Sequence, residues 1–136
     1  MHKFSFLGHT ADVRLLLSGS SFDELFRAAL LGLSELLHPS PLGADAKISQ
    51  KLTVESTDKT ALLIEFIAEV LAHSHIQKAI FTEVLFTKLT ENQLEAVING
   101  VKVAHFEKDV KAVTYHEASV SIHTDGLYET VVIFDI

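Results

Sequence analysis

Cysteine is missing from all 136 residues, so neither a disulfide framework nor a thiolate metal site can form. That fits a reducing cytosol. Long apolar runs are missing too. No stretch is long enough to span a bilayer, and Met1-His2-Lys3-Phe4-Ser5-Phe6 lacks the charged-then-apolar build of a signal peptide. The expected location is cytoplasmic, with no membrane partner. Positive charge is scarce: 11 Lys and Arg against 18 Asp and Glu give a net charge of −7. A surface of that sign repels phosphate backbones, so direct DNA binding is not expected, and any RNA role would run through a partner or a cation. Catalytic signatures are also absent. There is no phosphate-cradling glycine loop, no Gly-x-Ser-x-Gly elbow and no His-Glu-x-x-His, so no nucleophile is visible beside its base.

What is present is a core. Hydrophobic residues make up 48% of the chain and charged residues only 21%, which excludes a disordered chain. The length suits one domain over 1–136. Lys3–Leu7 alternates apolar and polar like a half-buried strand, and Asp12–Leu17 is a second strand whose Leu15-Leu16-Leu17 run suggests burial on both faces. Ser21 and Glu24 have the spacing of a capping box. Behind them Phe22, Leu25, Phe26, Ala29, Leu33, Leu36 and Leu37 form one helical stripe, stopped after His38 by Pro39, with Pro41 and Gly43 extending the break. Lys47–Glu55 alternates as a strand, with Gln50 on its apolar side. A second helix is predicted from about Asp58 to His75, capped by Asp58 or Thr57 and apolar around most of its circumference. Ile80–Leu89 reads as a strand. Asn99-Gly100 predicts a two-residue hairpin turn between Leu94–Ile98 and Val101–Val103, and Asp125-Gly126 turns 118–123 into Leu127–Phe134. Two main helices among roughly seven strands predict an α+β single layered domain with a largely antiparallel or mixed β-sheet.

Three clusters could carry chemistry. Asp12, after His9-Thr10-Ala11, opens an otherwise apolar strand; it is either a turn aspartate or a ligand. Val131-Val132-Ile133-Phe134 ends abruptly at Asp135-Ile136, which is either a frayed tail or a strand end holding a terminal carboxylate in place. Asp12, Asp135 and the Ile136 carboxylate together would offer three anionic oxygen groups, the donor set of a hard divalent cation. Ca²⁺ is the ion expected in a crystal, with Mg²⁺ or Mn²⁺ as alternatives. Lys111, Thr114 and His116 are either the solvated face of a strand or an anion or partner site. Glu65, Glu69 and His73 share one helix face, and read as a polar stripe before they read as a metal site.

Three segments together resemble one family. Phe6-Leu7-Gly8-His9-Thr10-Ala11-Asp12-Val13 is similar to the opening archease motif, Asp-His-Thr-Ala-Asp. Val110-Lys111-Ala112-Val113-Thr114-Tyr115-His116 is similar to the second signature, and Phe134-Asp135-Ile136 to the closing Asp-Ile. The resemblance covers essentially the whole chain, and one motif is seven residues long. It implies a non-catalytic protein cofactor of an RtcB-type RNA ligase, acting in tRNA splicing and RNA repair. Such a cofactor promotes guanylylation of the ligase and its repeated turnover. It also implies that Asp12, Asp135 and Ile136 bind a divalent cation; His9, Lys111, Thr114 and His116, read from the residues themselves, are the candidates for partner contacts. The chain departs from the family at Gly8, where aspartate is usual; a carboxylate beside the site is lost. The alternative function is a general chaperone or modulator of nucleic-acid-processing proteins, acting through an apolar patch.

Overall fold

Alternating apolar residues produce the strands, and two amphipathic or apolar runs produce the helices. The computed structural model describes residues 2–9, 12–37, 46–115 and 118–136. In chain order the elements are β1 His2–His9, β2 Asp12–Gly19, α1 Phe22–Leu37, β3 Lys47–Glu55, α2 Lys59–Gln77, β4 Ala79–Leu89, β5 Gln93–Lys102, β6 Ala112–Thr114, β7 Ser121–Ile122 and β8 Tyr128–Asp135. The predicted α+β class is the observed one. The break at Pro39, Pro41 and Gly43 lies outside the described residues. No described helix is long and apolar enough to cross a membrane.

The strands form two sheets. One runs β1-β2-β8-β6, with β7 also paired to β8; the other runs β3-β5-β4. Every strand pair is antiparallel. Both helices touch both sheets: α1 packs on β1, β2 and β4, and α2 on β3, β4, β5 and β6. One continuous core therefore joins the two sheets through the helices. An aromatic triad with one ring from each of three elements helps join it, Phe86 being only half-buried. Phe26 of α1 meets Phe66 of α2 at 5.2 Å and Phe86 of β4 at 5.8 Å, both edge-to-face. Edge-to-face pairs add about 0.5–1.5 kcal/mol beyond area burial.

The helix starts differ in detail from the pattern in the sequence. Ser21 donates from its hydroxyl to Asp23 (2.6 Å). The Glu24 carboxylate accepts from His2 Nδ1 at 2.5 Å, which ties the first turn of α1 to β1. At α2 the expected Asp58 cap is present: its carboxylate accepts from the Ala61 N–H at 2.9 Å. The helix closes at Lys78 in the left-handed region (φ 49°), whose N–H donates to the Ser74 carbonyl.

Two sequence expectations are corrected. First, β2 is buried on one face only. Leu15 and Leu17 are fully buried beneath α1, whereas Leu16 points to the opposite face and is half-buried. Among the described residues no helix covers that face, so the apolar run is not a two-sided core strand. Second, Asn99-Gly100 is not a turn. β5 runs straight through it, pairing Asn99 with Ser49 and Gly100 with Ile48 on β3. Glycine is required there because β4 comes very close at a bulge. An added Cβ would lie 1.9 Å from the Ile80 carbonyl oxygen. Asn99 bridges both neighbours, accepting from Ser49 and donating to Glu83 (2.9 Å). The actual β4–β5 turn is built on Thr90, whose N–H donates to the Gln93 carbonyl. The Asp125-Gly126 turn is present as predicted, with Gly126 at φ +87° and His123 N–H donating to Leu127.

Candidate functional site

Strand register brings the two ends of the chain's sequence together. Asp12 is the first residue of β2 and Asp135 the last of β8, and they are direct partners across the antiparallel pair. On the other side of β8, Asp135 faces Ala112, the first residue of β6. The Lys111 N–H donates to the Asp135 carbonyl at 2.8 Å, which fixes the backbone where β8 ends.

The next row inward is Val13, Phe134 and Val113. Val13 and Phe134 are buried, and Val113 packs against the core. Side chains alternate across a strand, so the Asp12–Asp135 row projects from the opposite face, away from the helices. Directly opposed residues share a face, with Cβ atoms about 4.5–5.5 Å apart. Two like charges at that spacing repel. Arg14, Ile133 and Thr114 form the neighbouring row on the same face. Asp12 is half-buried, and Asp135 and Ile136 are exposed, so the row is open to solvent.

The predicted residues are placed as follows. Asp12, Asp135, Ile136 and Lys111 lie together at one end of the five-stranded sheet. Thr114 is half-buried on β6 opposite Ile133. His9 ends β1, and its backbone pairs with Val13 after a register shift that falls at Gly8. His116 lies outside the described residues. Glu65, Glu69 and His73 are engaged locally: Glu65 accepts from the Ser56 hydroxyl, and the His73 ring faces Glu69 at 3.8 Å.

Oxygen donors of this kind suit Ca²⁺ or Mg²⁺ in preference to softer metals. No group of three His, Asp or Glu side chains gathers among the described residues. A cation at the strand ends would therefore draw on two side-chain carboxylates plus main-chain or terminal oxygens. The donor chemistry fits a hard ion with much of its coordination left to water.

Two contributions escape sequence reasoning. One is the backbone bond from Lys111 to Asp135, since only the register reveals it. The other is Tyr115, next after β6, which is 57% exposed yet has its phenol pushed above the ordinary value. Partial burial is the main cause, followed by the negative charges of Glu65 and Asp58 on and beside α2. Nothing in the spacing of those residues announces that neighbourhood.

Comparison with known proteins gives a consistent picture. A model of the archease protein family matches residues 4–136. Protein archease of Thermococcus kodakarensis is 32% identical over 134 residues, which cover 93% of each chain. The solution structure of protein 1598 of Methanobacterium thermoautotrophicum superposes with a TM-score of 0.72 at 24% identity, covering 98% of both chains. A Thermotoga maritima crystal structure, described as an archease and possible chaperone, gives 0.69 at 21% identity over 96% of this chain and 94% of that one. At those identities the two structures establish the shared fold.

Proposed function

The chain belongs to the archease family, and on that premise we propose that it is a non-catalytic activator of an RtcB-type RNA ligase. In this reading it promotes guanylylation and repeated turnover of the ligase in tRNA splicing or RNA repair. RNA is met only through the ligase. The observation that carries the reading is the direct pairing of Asp12 with Asp135, beside Ile136 and Lys111. Asp12, Asp135 and Ile136 are the residues onto which the cation positions implied by the family resemblance fall.

Asp12, Asp135 and the main-chain carboxylate of Ile136 would hold a divalent cation, with Ca²⁺, Mg²⁺ and Mn²⁺ all compatible with the donors. When bound, the ion would cancel the repulsion of the opposed carboxylates and offer a positive centre to an anionic group of the ligase. The chain's own residues do the positioning. The β2–β8 register sets the spacing of the carboxylates, and the Lys111 N–H anchors the Asp135 backbone. The Lys111 side chain, exposed beside them, adds a cation for the same contact.

The test is ligase guanylylation with and without this protein, compared with Asp12→Ala and Asp135→Ala. A loss of stimulation of at least about tenfold is expected, the scale of losing a charge-assisted contact. Full stimulation by both variants rejects the cation-centred reading and favours a chaperone that acts through an apolar patch.

A further inference from the structure

A cleft lies between the last turns of α2 and the segment 103–110 that follows β5. It has a volume of about 360 Å³ and is lined by His75, Lys78, His105, Phe106, Lys108 and Asp109. That is the size range of small-ligand sites, about 300–1,000 Å³. On a chain of net charge −7, this wall carries two lysines and two imidazoles against one carboxylate. Among the described residues, none of the four cleft groups takes part in an ion pair.

A helix C-terminus favours cations, which accounts for His75 and Lys78 on or just after the last turn of α2. It does not account for His105 and Lys108. They come from a different segment and yet face the same cavity. Phe106 adds an apolar surface between them. It is half-buried, packs against the core and meets the His75 ring edge-on at 5.9 Å. Lysines supply charge, imidazoles donate hydrogen bonds whether charged or neutral, and a phenyl ring offers a stacking platform.

We propose that this cleft binds the phosphate of a small phosphate ester carrying an aromatic ring, of the nucleoside monophosphate class. Lys78 and Lys108 flank the phosphate, His75 and His105 donate to its oxygens, and Phe106 takes the ring. The cleft is separate from the carboxylates at the strand ends, and binding here does not depend on the ligase reading. His75 also lines a cavity between α2 and β6, with Lys111, Ala112 and Val113, on the helix side of the sheet.

The experiment is an NMR titration of the full chain in EDTA, so that no divalent cation bridges a ligand to Asp12 or Asp135. The probes are AMP, inorganic phosphate and adenosine. AMP is expected to shift amides of 103–110 and of the last turn of α2. Phosphate should shift the same amides more weakly, and adenosine should leave them unmoved. Lys78→Gln combined with Lys108→Gln should weaken AMP binding by about tenfold or more. Both lysines are exposed, so an unchanged Tm will confirm that this variant is folded. Phe106→Leu should remove the advantage of AMP over phosphate. Adenosine binding as well as AMP, wild-type affinity in the double lysine variant, or no saturable shift up to about 10 mM AMP each overturns the proposal.

Discussion

The His2–Glu24 contact illustrates how single residues shape this protein. The hydrogen bond from His2 holds the Glu24 carboxyl below its ordinary value of 4.5, against a smaller opposing effect of burial. A carboxylate depressed in the folded state contributes stability above its unfolded pKa and loses that contribution as pH falls through the folded value. Glu24→Gln is therefore expected to flatten the acid limb of the stability profile below pH 4.5. Urea unfolding from about pH 7 to about pH 3 reads this directly, and an acid limb as steep as wild type rules it out. Asp23 behaves likewise, held low by the Ser21 hydroxyl first and by the charge of Arg27 after a smaller opposing burial effect. Arg27 in turn donates to the Val84 carbonyl at 2.6 Å and lies over the Phe86 ring at 5.6 Å. The capping-box spacing of Ser21 and Glu24 correctly marks where α1 starts. The partner of Glu24 on β1, distant in sequence, is legible only in the fold.

At the scale of elements, the informative comparison is between the two Xaa-Gly pairs. Asp125-Gly126 makes a turn because Gly126 adopts φ +87° in open space, where nothing lies within 4 Å of an added Cβ. Asn99-Gly100 has the same local chemistry and lies in the middle of a strand, because β4 approaches within contact distance of its backbone. Local sequence cannot distinguish a glycine needed for its dihedral freedom from one needed for its missing side chain. Gly100→Ala should cost about 2–3 kcal/mol through overpacking against the β4 bulge. A urea midpoint within error of wild type would refute that close approach. Helix α2 follows its sequence more closely, with Asp58 as cap and buried positions from Leu62 to Val70. Its expected polar side survives as the Glu65, Glu69 and His73 stripe. Gln50, the polar residue on the apolar side of β3, is explained there too: it accepts from Gln77 at the end of the helix.

For the molecule as a whole, the proposed cation couples binding to folding, since it would tie the start of β2 to the end of β8. A ligand that binds only the folded chain stabilises it by about 2.7 kcal/mol when its free concentration is a hundred times Kd. Calcium is thus expected to raise Tm by several degrees in the wild-type chain and not in Asp12→Asn or Asp135→Asn. Extending the chain past Ile136, which turns a carboxylate into an amide, should reduce the shift. Equal shifts in all four proteins would place the ion elsewhere.

By itself the sequence determined the α+β class, both helices with the cap of α2, the Asp125-Gly126 turn, and the residues worth watching at both ends. These follow from periodicity, turn chemistry and motif, which act over a few neighbouring residues. Only the tertiary structure decided that Asp12 sits opposite Asp135, that Gly100 belongs inside a sheet, and that His75 and Lys78 share a cleft with His105 and Lys108. Each of those is a pairing between segments distant in sequence. Such pairings are set by strand register and by the packing of helices between two sheets, neither of which any single stretch of the chain contains.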